Sequence, residues 1–298
     1  MTTATTEILL PPPKSTIVRS YYGGPGWIQK AFAAAGAVAP GLTSLVATQL
    51  FRRTSRKTPR PGERDVLERA SAMKIAGMRV WSWGDGPTVL LVHGWNGRAS
   101  QLGGFVAPLR ARGYRVVAFD AIGHGESEGR HLSLPELATC IRAVADEVGD
   151  VYGVIAHSLG GAATTLALSQ GLEAQRAVFI SPPSDPREFL RLYSSAIGIS
   201  DAVRARVQAS VERRLGMLME DMRATVHATS MRTPLLVIHD RSDKEVPFEV
   251  GRSVAEAWPG AELLATDGLG HQRILRDAAV TNVAVGFIDA TEHRKHAA

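Results

Sequence analysis

The 298-residue sequence predicts an α/β protein, a doubly wound and mostly parallel sheet with a short helical cap inserted late in the chain. Three observations predict it. From about residue 72 strand-like and helix-like segments alternate, the pattern that lays helices on both faces of a parallel sheet. Several strand segments, TVLLVHG and RVVAFD among them, are unbroken apolar runs, as strands buried on both faces require. Between about 184 and 231 the alternation stops and only helical segments occur.

The first 71 residues stand apart as an extension. They open with a polar start containing Pro11–Pro13, which lacks the basic and apolar regions of a secretory signal. Residues 31–51, AFAAAGAVAPGLTSLVATQLF, carry no charge and are long enough to span a bilayer. The stretch is alanine-rich, however, holds Pro40-Gly41 at its centre, and includes Thr43, Ser44, Thr48 and Gln49. It therefore predicts a helix–break–helix hairpin laid on the domain. A basic linker, RRTSRKTPRPGER, follows, and contact of residues 31–51 with a membrane surface is the alternative reading.

The core is expected over 72–183 and 232–298. MRVWSWGDGP reads as a strand closing in a turn at Gly84–Pro87, and TVLLVHG as a buried strand. Helical residues 99–112 lead to the strand RVVAFD. After the loop AIGHGESEGRH, Ser133 and Glu136 form the two ends of a capping box that starts a helix. VYGVIAHS is the next strand, followed by a helix after Ser158 and the strand RAVFIS. Pro182-Pro183 then breaks the pattern. Residues 184–231 (REFLRLYSSAI, then DAVRARVQASVERRLGMLMEDMRATV) form the cap. PLLVIHD, a helix near 247–257, the strand AELLATDG and a helix over 276–289 complete the core.

Composition narrows the function classes. Apolar residues make up 45% and charged ones 21%, as in ordinary soluble globular chains. The net charge is +5, and the only dense basic cluster is Arg52, Arg53, Arg56, Lys57 and Arg60, with no aromatic residues interleaved. That is a solvated linker and not a nucleic-acid interface. Cys140 is the only cysteine, which excludes an intrachain disulfide and a cysteine metal site. Its helical spacing with Leu137, Ile141, Val144 and Val148 makes it a core residue. The expected location is the cytoplasm, and oligomeric state is not legible.

In a parallel sheet, reactive groups gather at the carboxyl ends of the strands. His93, Asp120, Ser158, Asp240, Asp243 and His271 all fall there. Ser158 sits at a sharp strand-to-helix turn, where its hydroxyl is lifted clear of the backbone and the first helical N–H groups point at the reacting centre. The Gly-x-Ser-x-Gly elbow pattern is altered at its first position, where Ala156 adds a methyl group. A serine nucleophile needs a base, and the base needs an orienting acid. The order Ser158, Asp243, His271 matches that of such elbows. Asp240 is expected to shape its turn instead, and Asp267 lies close to His271 in sequence. The backbone N–H groups of Leu159 and Trp95 are the expected oxyanion donors. His93 is expected to brace its loop, and His157 to be a neighbour of the nucleophile and not the base. The Trp95 indole either walls an acyl pocket or packs.

TVLLVHGW, DAIGHGESEG, AHSLGG, VIHDRSDKEVP and GLGHQRIL follow one another as in the α/β-hydrolase superfamily, and the sequence resembles that superfamily over about residues 72–290. It looks most like bacterial serine hydrolases of the esterase and lysophospholipase group. The resemblance implies a nucleophile at Ser158, an acid at Asp243, a base at His271 and oxyanion amides at Trp95 and Leu159. It also implies an architectural His124, a cap before PLLVIHD, and neither a metal nor an organic cofactor. The expected reaction is hydrolysis of a small-molecule carboxylic ester. Thioester or amide cleavage and acyl transfer on the same triad are alternatives. A non-enzymatic ligand-binding protein of this fold is the rival from another class.

Overall fold

The computed structural model describes residues 25–56 and 58–290. The proline-containing start and Lys57 of the basic linker lie outside the described residues. Eight strands form one sheet: β1 (Ser71–Ile75), β2 (Met78–Trp83), β3 (Thr88–Val92), β4 (Arg115–Asp120), β5 (Val151–His157), β6 (Arg176–Ile180), β7 (Leu235–Asp240) and β8 (Glu262–Thr266). Their order is β1-β2-β4-β3-β5-β6-β7-β8. β1 and β2 pair antiparallel, as do β2 and β4, and every later pairing is parallel. The order reverses around β3, so the loop after β3 lies next to the loop after β5. This is where a parallel sheet opens a crevice for ligands.

The apolar runs have the predicted consequence. Leu90, Val92, Val154, Ala156, Phe179 and Val237 face one core layer. Val89, Leu91, Ile155, Val178, Ile180 and Ile238 face the other. Every residue of β3 and β7 is buried. Sheet and helices thereby form a rigid base, and function falls to the loops at its edge.

Three features differ from the sequence reading. β1 is a strand that the pattern did not reveal, because SAMKI lies at the sheet edge and is largely exposed. Its register with β2 is set by a two-residue turn at Ala76-Gly77 and not by burial. The predicted helix over 99–112 is a 3₁₀ segment, Ala99–Phe105, followed by a short α-helix, Val106–Arg110. Gly103 in this segment lies against Val66, where a Cβ would stand 2.8 Å from Val66 Cγ1. The capping box expected at Ser133 is only half formed: the Ser133 hydroxyl accepts from Glu136 N–H at 3.4 Å, but the Glu136 carboxylate accepts from that hydroxyl at 2.8 Å and not from the Ser133 backbone N–H.

Between β6 and β7 the chain is helical, with Pro186–Ile197 and Asp201–Leu215 as its two long helices. The two N-terminal helices, Gly26–Val38 and Pro40–Arg52, break at Ala39 and pack onto these two. Gln29 Nε2 donates to Ala196 O at 2.9 Å, and Tyr193 Oη donates to Ala47 O at 2.7 Å. Arg52 reaches past them to form a 2.6 Å ion pair with Glu136. Among the described residues no helix is long and apolar enough to cross a membrane.

Candidate active site

β5 ends at His157, and the helix Leu159–Ser169 begins two residues later, so Ser158 alone makes the turn. It does so with φ 52° and ψ −127°, in the left-handed half of the map. For a residue with a Cβ this costs on the order of 1–3 kcal/mol, and it persists only where the surroundings enforce it. Here Ser158 N–H donates to Ile180 O at 2.9 Å, and Gly161 N–H donates to Ser158 O at 2.8 Å. The turn also needs close approach. A Cβ at Gly160 would lie 2.7 Å from Val92 O, and one at Gly94 would lie 2.8 Å from Ser158 Cβ. Ala156 tolerates its methyl because that position faces the core within β5, between Val92 and Phe179 on the neighbouring strands.

His271 starts its loop-to-helix turn across the crevice and is 4% exposed. Its Nδ1 donates to Asp243 Oδ2 at 2.7 Å. The other oxygen of Asp243 accepts from the N–H groups of Glu245 (2.8 Å) and Val246 (2.9 Å). Burial alone would raise the Asp243 carboxyl, but the neighbouring His239 and His271 imidazoles and the Val246 N–H hold it well below the usual carboxylate range. The proton of His271 is therefore fixed on Nδ1, and its buried Nε2 has no hydrogen-bond partner among the described residues. Asp240, the other nearby acid, accepts from Ser242 N–H, Thr266 Oγ1 and Leu269 N–H at 2.8–2.9 Å. It ties the loops after β7 and β8 together, as its position after the strand suggested. Asp267 is exposed and pairs with Arg241.

Two residues of this cluster did not emerge from the sequence. His239 lies fully buried in β7, its Nε2 donating to Val246 O at 2.9 Å and standing 3.5 Å from Asp243 Oδ2. The available signal was a lone imidazole near the end of an apolar strand, four residues before Asp243. Glu245 places a carboxylate oxygen 3.6 Å from His271 Nε2, outside hydrogen-bond contact.

The loop after β3 brings Trp95 beside the elbow. Neither Trp95 N–H nor Leu159 N–H donates to a protein acceptor among the described residues, whereas Gly97 N–H and Asn96 N–H are both satisfied. Three histidines hold the surrounding loops. His93 Nε2 accepts from Ala121 N–H at 3.0 Å while its Nδ1 donates to Gly94 O at 2.7 Å. His124 Nε2 accepts from Asn96 N–H at 3.0 Å. His157 Nε2 donates to His271 O at 2.9 Å, with the two rings 4.7 Å apart. His157 thus braces the loop that carries His271.

Burial lowers the pKa of all three, to about 4 for His93 and about 3 for His124 and His157. A neighbouring histidine adds to the effect for the last two. The folded state refuses protons that the unfolded chain accepts below its ordinary imidazole value of 6.5. Their contribution to stability is complete above pH 6.5 and is lost as the pH falls toward 4 and below. Asp120, whose carboxyl burial pushes up, opposes the trend near the acid end, one group against three. The melting temperature is expected to fall steadily from pH 6.5 to about pH 4. A flat profile in thermal denaturation across that range would contradict neutral burial of these rings.

Ser158 and His271 stand where two cavities meet. One holds about 1080 Å³ of empty space, part of it open to solvent, and its walls are mainly apolar. Phe51, Leu134, Phe189, Leu192, Leu215 and Met219 contribute to it from the N-terminal helix, the core and the cap. The other, about 720 Å³, is polar, with Arg60, Asn96, Arg98, Gln101 and Gln272 on its walls. Trp95 lines both. Among the described residues no group of three His, Cys, Asp or Glu side chains is arranged to hold a metal ion.

Comparison with known proteins agrees with this architecture. A model of the alpha/beta hydrolase family matches residues 89–284. A pyrethroid hydrolase of Sphingobium wenxiniae is 34% identical over 111 residues, 34% of this chain and 40% of that enzyme's length. A pimeloyl-acyl-carrier-protein methyl ester esterase of Nitrosomonas europaea is 26% identical over 244 residues, 67% of this chain and 95% of that enzyme. Among solved structures, an esterase from Exiguobacterium antarcticum superposes with a TM-score of 0.56 at 16% identity, covering 74% of this chain and 100% of that one. At that identity the likeness is one of fold.

Proposed function

This chain belongs to the alpha/beta hydrolase family, and from that premise we propose that it cleaves carboxylic esters through an acyl-serine intermediate on Ser158. The observation that carries the reading is the buried Asp243–His271 pair, whose Nε2 makes no hydrogen bond among the described residues and shares a chamber with a strained serine. His271 Nε2 takes the Ser158 proton as Oγ attacks the ester carbonyl. The Trp95 and Leu159 N–H groups stabilise the oxyanion, reinforced by the N-terminal end of the helix Leu159–Ser169. The tetrahedral species collapses as His271 returns the proton to the departing alcohol. A water molecule, deprotonated by His271, then attacks the acyl-serine and releases the acid. Asp243 holds the imidazole in the tautomer both steps need and stabilises the imidazolium between them. The esterase named among the relatives supports ester chemistry.

The two cavities give the substrate a polarity. An apolar acyl chain suits the chamber lined by Phe189, Leu192, Leu215 and Met219, and a polar alcohol suits the cleft lined by Asn96, Gln101 and Gln272. With p-nitrophenyl esters from acetate upward, kcat/KM is expected to rise by up to about fourfold per added methylene until the chamber is full. A specificity that falls with chain length would reject this assignment of the apolar chamber. Cleavage of thioesters or amides with esters left intact would reject the ester reading itself.

A further inference from the structure

The helix Pro40–Arg52 is inside out. Its inward face carries Thr43, Ser44, Ala47 and Thr48, all buried against the cap. Its outward face carries Leu42 (65% exposed), Leu45 (60%), Val46 (46%) and Leu50. These four recur at helical spacing and form one ridge. The preceding helix adds Trp27 and Val38, both more than two-thirds exposed, with Lys30 on the same face by spacing. The inward face tolerates hydroxyls because each bonds its own helix: Thr43 Oγ1 to Ala39 O, Ser44 Oγ to Gly41 O, and Thr48 Oγ1 to Ser44 O, at 2.7–2.9 Å. The outward leucines and valines have no such account within the described fold. A contiguous apolar ridge of this kind marks a surface that is covered in use.

Charge identifies what covers it. Residues 25–62 contain six Lys or Arg and no Asp or Glu; Lys30, Arg53, Arg56 and Arg60 are exposed, whereas Arg52 is buried in its pair with Glu136. Lys30 and Arg53 are exposed and have no ion-pair partner among the described residues. A second copy docking face to face would bring these like charges together, whereas an anionic lipid surface would attract them. Each helix is 13 residues, too short to span a bilayer, so the fitting arrangement lies in the plane of the interface. We propose that the exposed ridge of the N-terminal hairpin docks this protein on an anionic lipid surface, with Leu42, Leu45, Val46 and Trp27 in the acyl boundary and Lys30 and Arg53 at the headgroups. The same helix sends Phe51 and Arg52 into the wall of the apolar chamber. The proposal does not depend on the chemistry assigned to Ser158.

Flotation of the full chain with vesicles tests it. Partition onto phosphatidylglycerol-containing vesicles is expected to exceed that onto pure phosphatidylcholine by at least about tenfold and to fall as salt rises. L42S/L45S/V46S and, separately, K30Q/R53Q are each expected to lower it by about tenfold, with unchanged melting temperature. Quenching of Trp27 by brominated lipid acyl chains, lost in W27F, gives a second reading that needs no change to the ridge. Absence of partition onto the anionic vesicles would overturn the proposal, as would partition that both variants leave unchanged. A concentration-dependent dimer abolished by L42S/L45S/V46S would overturn it in favour of a second copy on the ridge.

Discussion

Ser158→Ala is expected to lower kcat for ester hydrolysis by on the order of 10⁴- to 10⁶-fold and to abolish labelling by a fluorophosphonate. The change removes the nucleophile and leaves the oxyanion donors and chamber in place, so only their residual contribution to turnover persists. The fold should survive. Ser158 Oγ makes no hydrogen bond among the described residues, so its loss strands no buried partner. Alanine at φ 52° carries the same backbone strain as serine. An unchanged melting temperature beside lost activity separates a chemical defect from an unfolded chain. Persistent labelling at the original rate would place the nucleophile elsewhere.

Asp243→Asn is expected to lower kcat by about 10⁴-fold while Ser158 can still be labelled slowly. The reason lies in how the carboxylate is held. Oδ1 accepts two backbone N–H groups, from Glu245 and Val246, and only an oxygen can remain there. In the asparagine variant the amide nitrogen must therefore face His271 Nδ1. A donor in that position forces Nδ1 to accept and moves the imidazole proton to Nε2, the atom that must take the serine proton. The base is then present in the wrong tautomer. His239 Nε2, 3.5 Å from the Oδ2 position, offers no acceptor in exchange because its proton is directed to Val246 O. If kcat in Asp243→Asn stays within a few-fold of the parent, a different acid orients the imidazole.

The alternation of apolar runs and helices made most of the fold legible. Strands such as TVLLV and LLVIHD are buried along their whole length, and no other regular structure accommodates a short run with apolar residues on both sides. The same logic placed His93, Asp120, Ser158, Asp243 and His271 at the strand ends and made them candidates. β1 escaped because an exposed edge strand has no burial pattern to read. The 3₁₀ turn at Ala99–Phe105 escaped because helix-compatible residues do not distinguish a tighter i→i+3 turn from an α-helical one.

The division follows from the range of the forces involved. Sequence by itself determined the buried strands, the elbow and the order of the candidate residues, since hydrophobic periodicity and turn chemistry act over a few neighbours. The sequence favoured Asp243 over Asp240, and the tertiary structure adds the cause: Asp240 is saturated by Ser242 N–H, Thr266 Oγ1 and Leu269 N–H, which leaves Asp243 to meet His271. The tertiary structure alone decided that His157 braces the His271 loop through its Nε2 proton. It also decided that the N-terminal hairpin, apolar enough to be read as something to bury, turns its threonines to the protein and its leucines outward. The leucines of that helix recur at helical spacing, but which of the two faces so defined points inward is fixed by close packing against the cap.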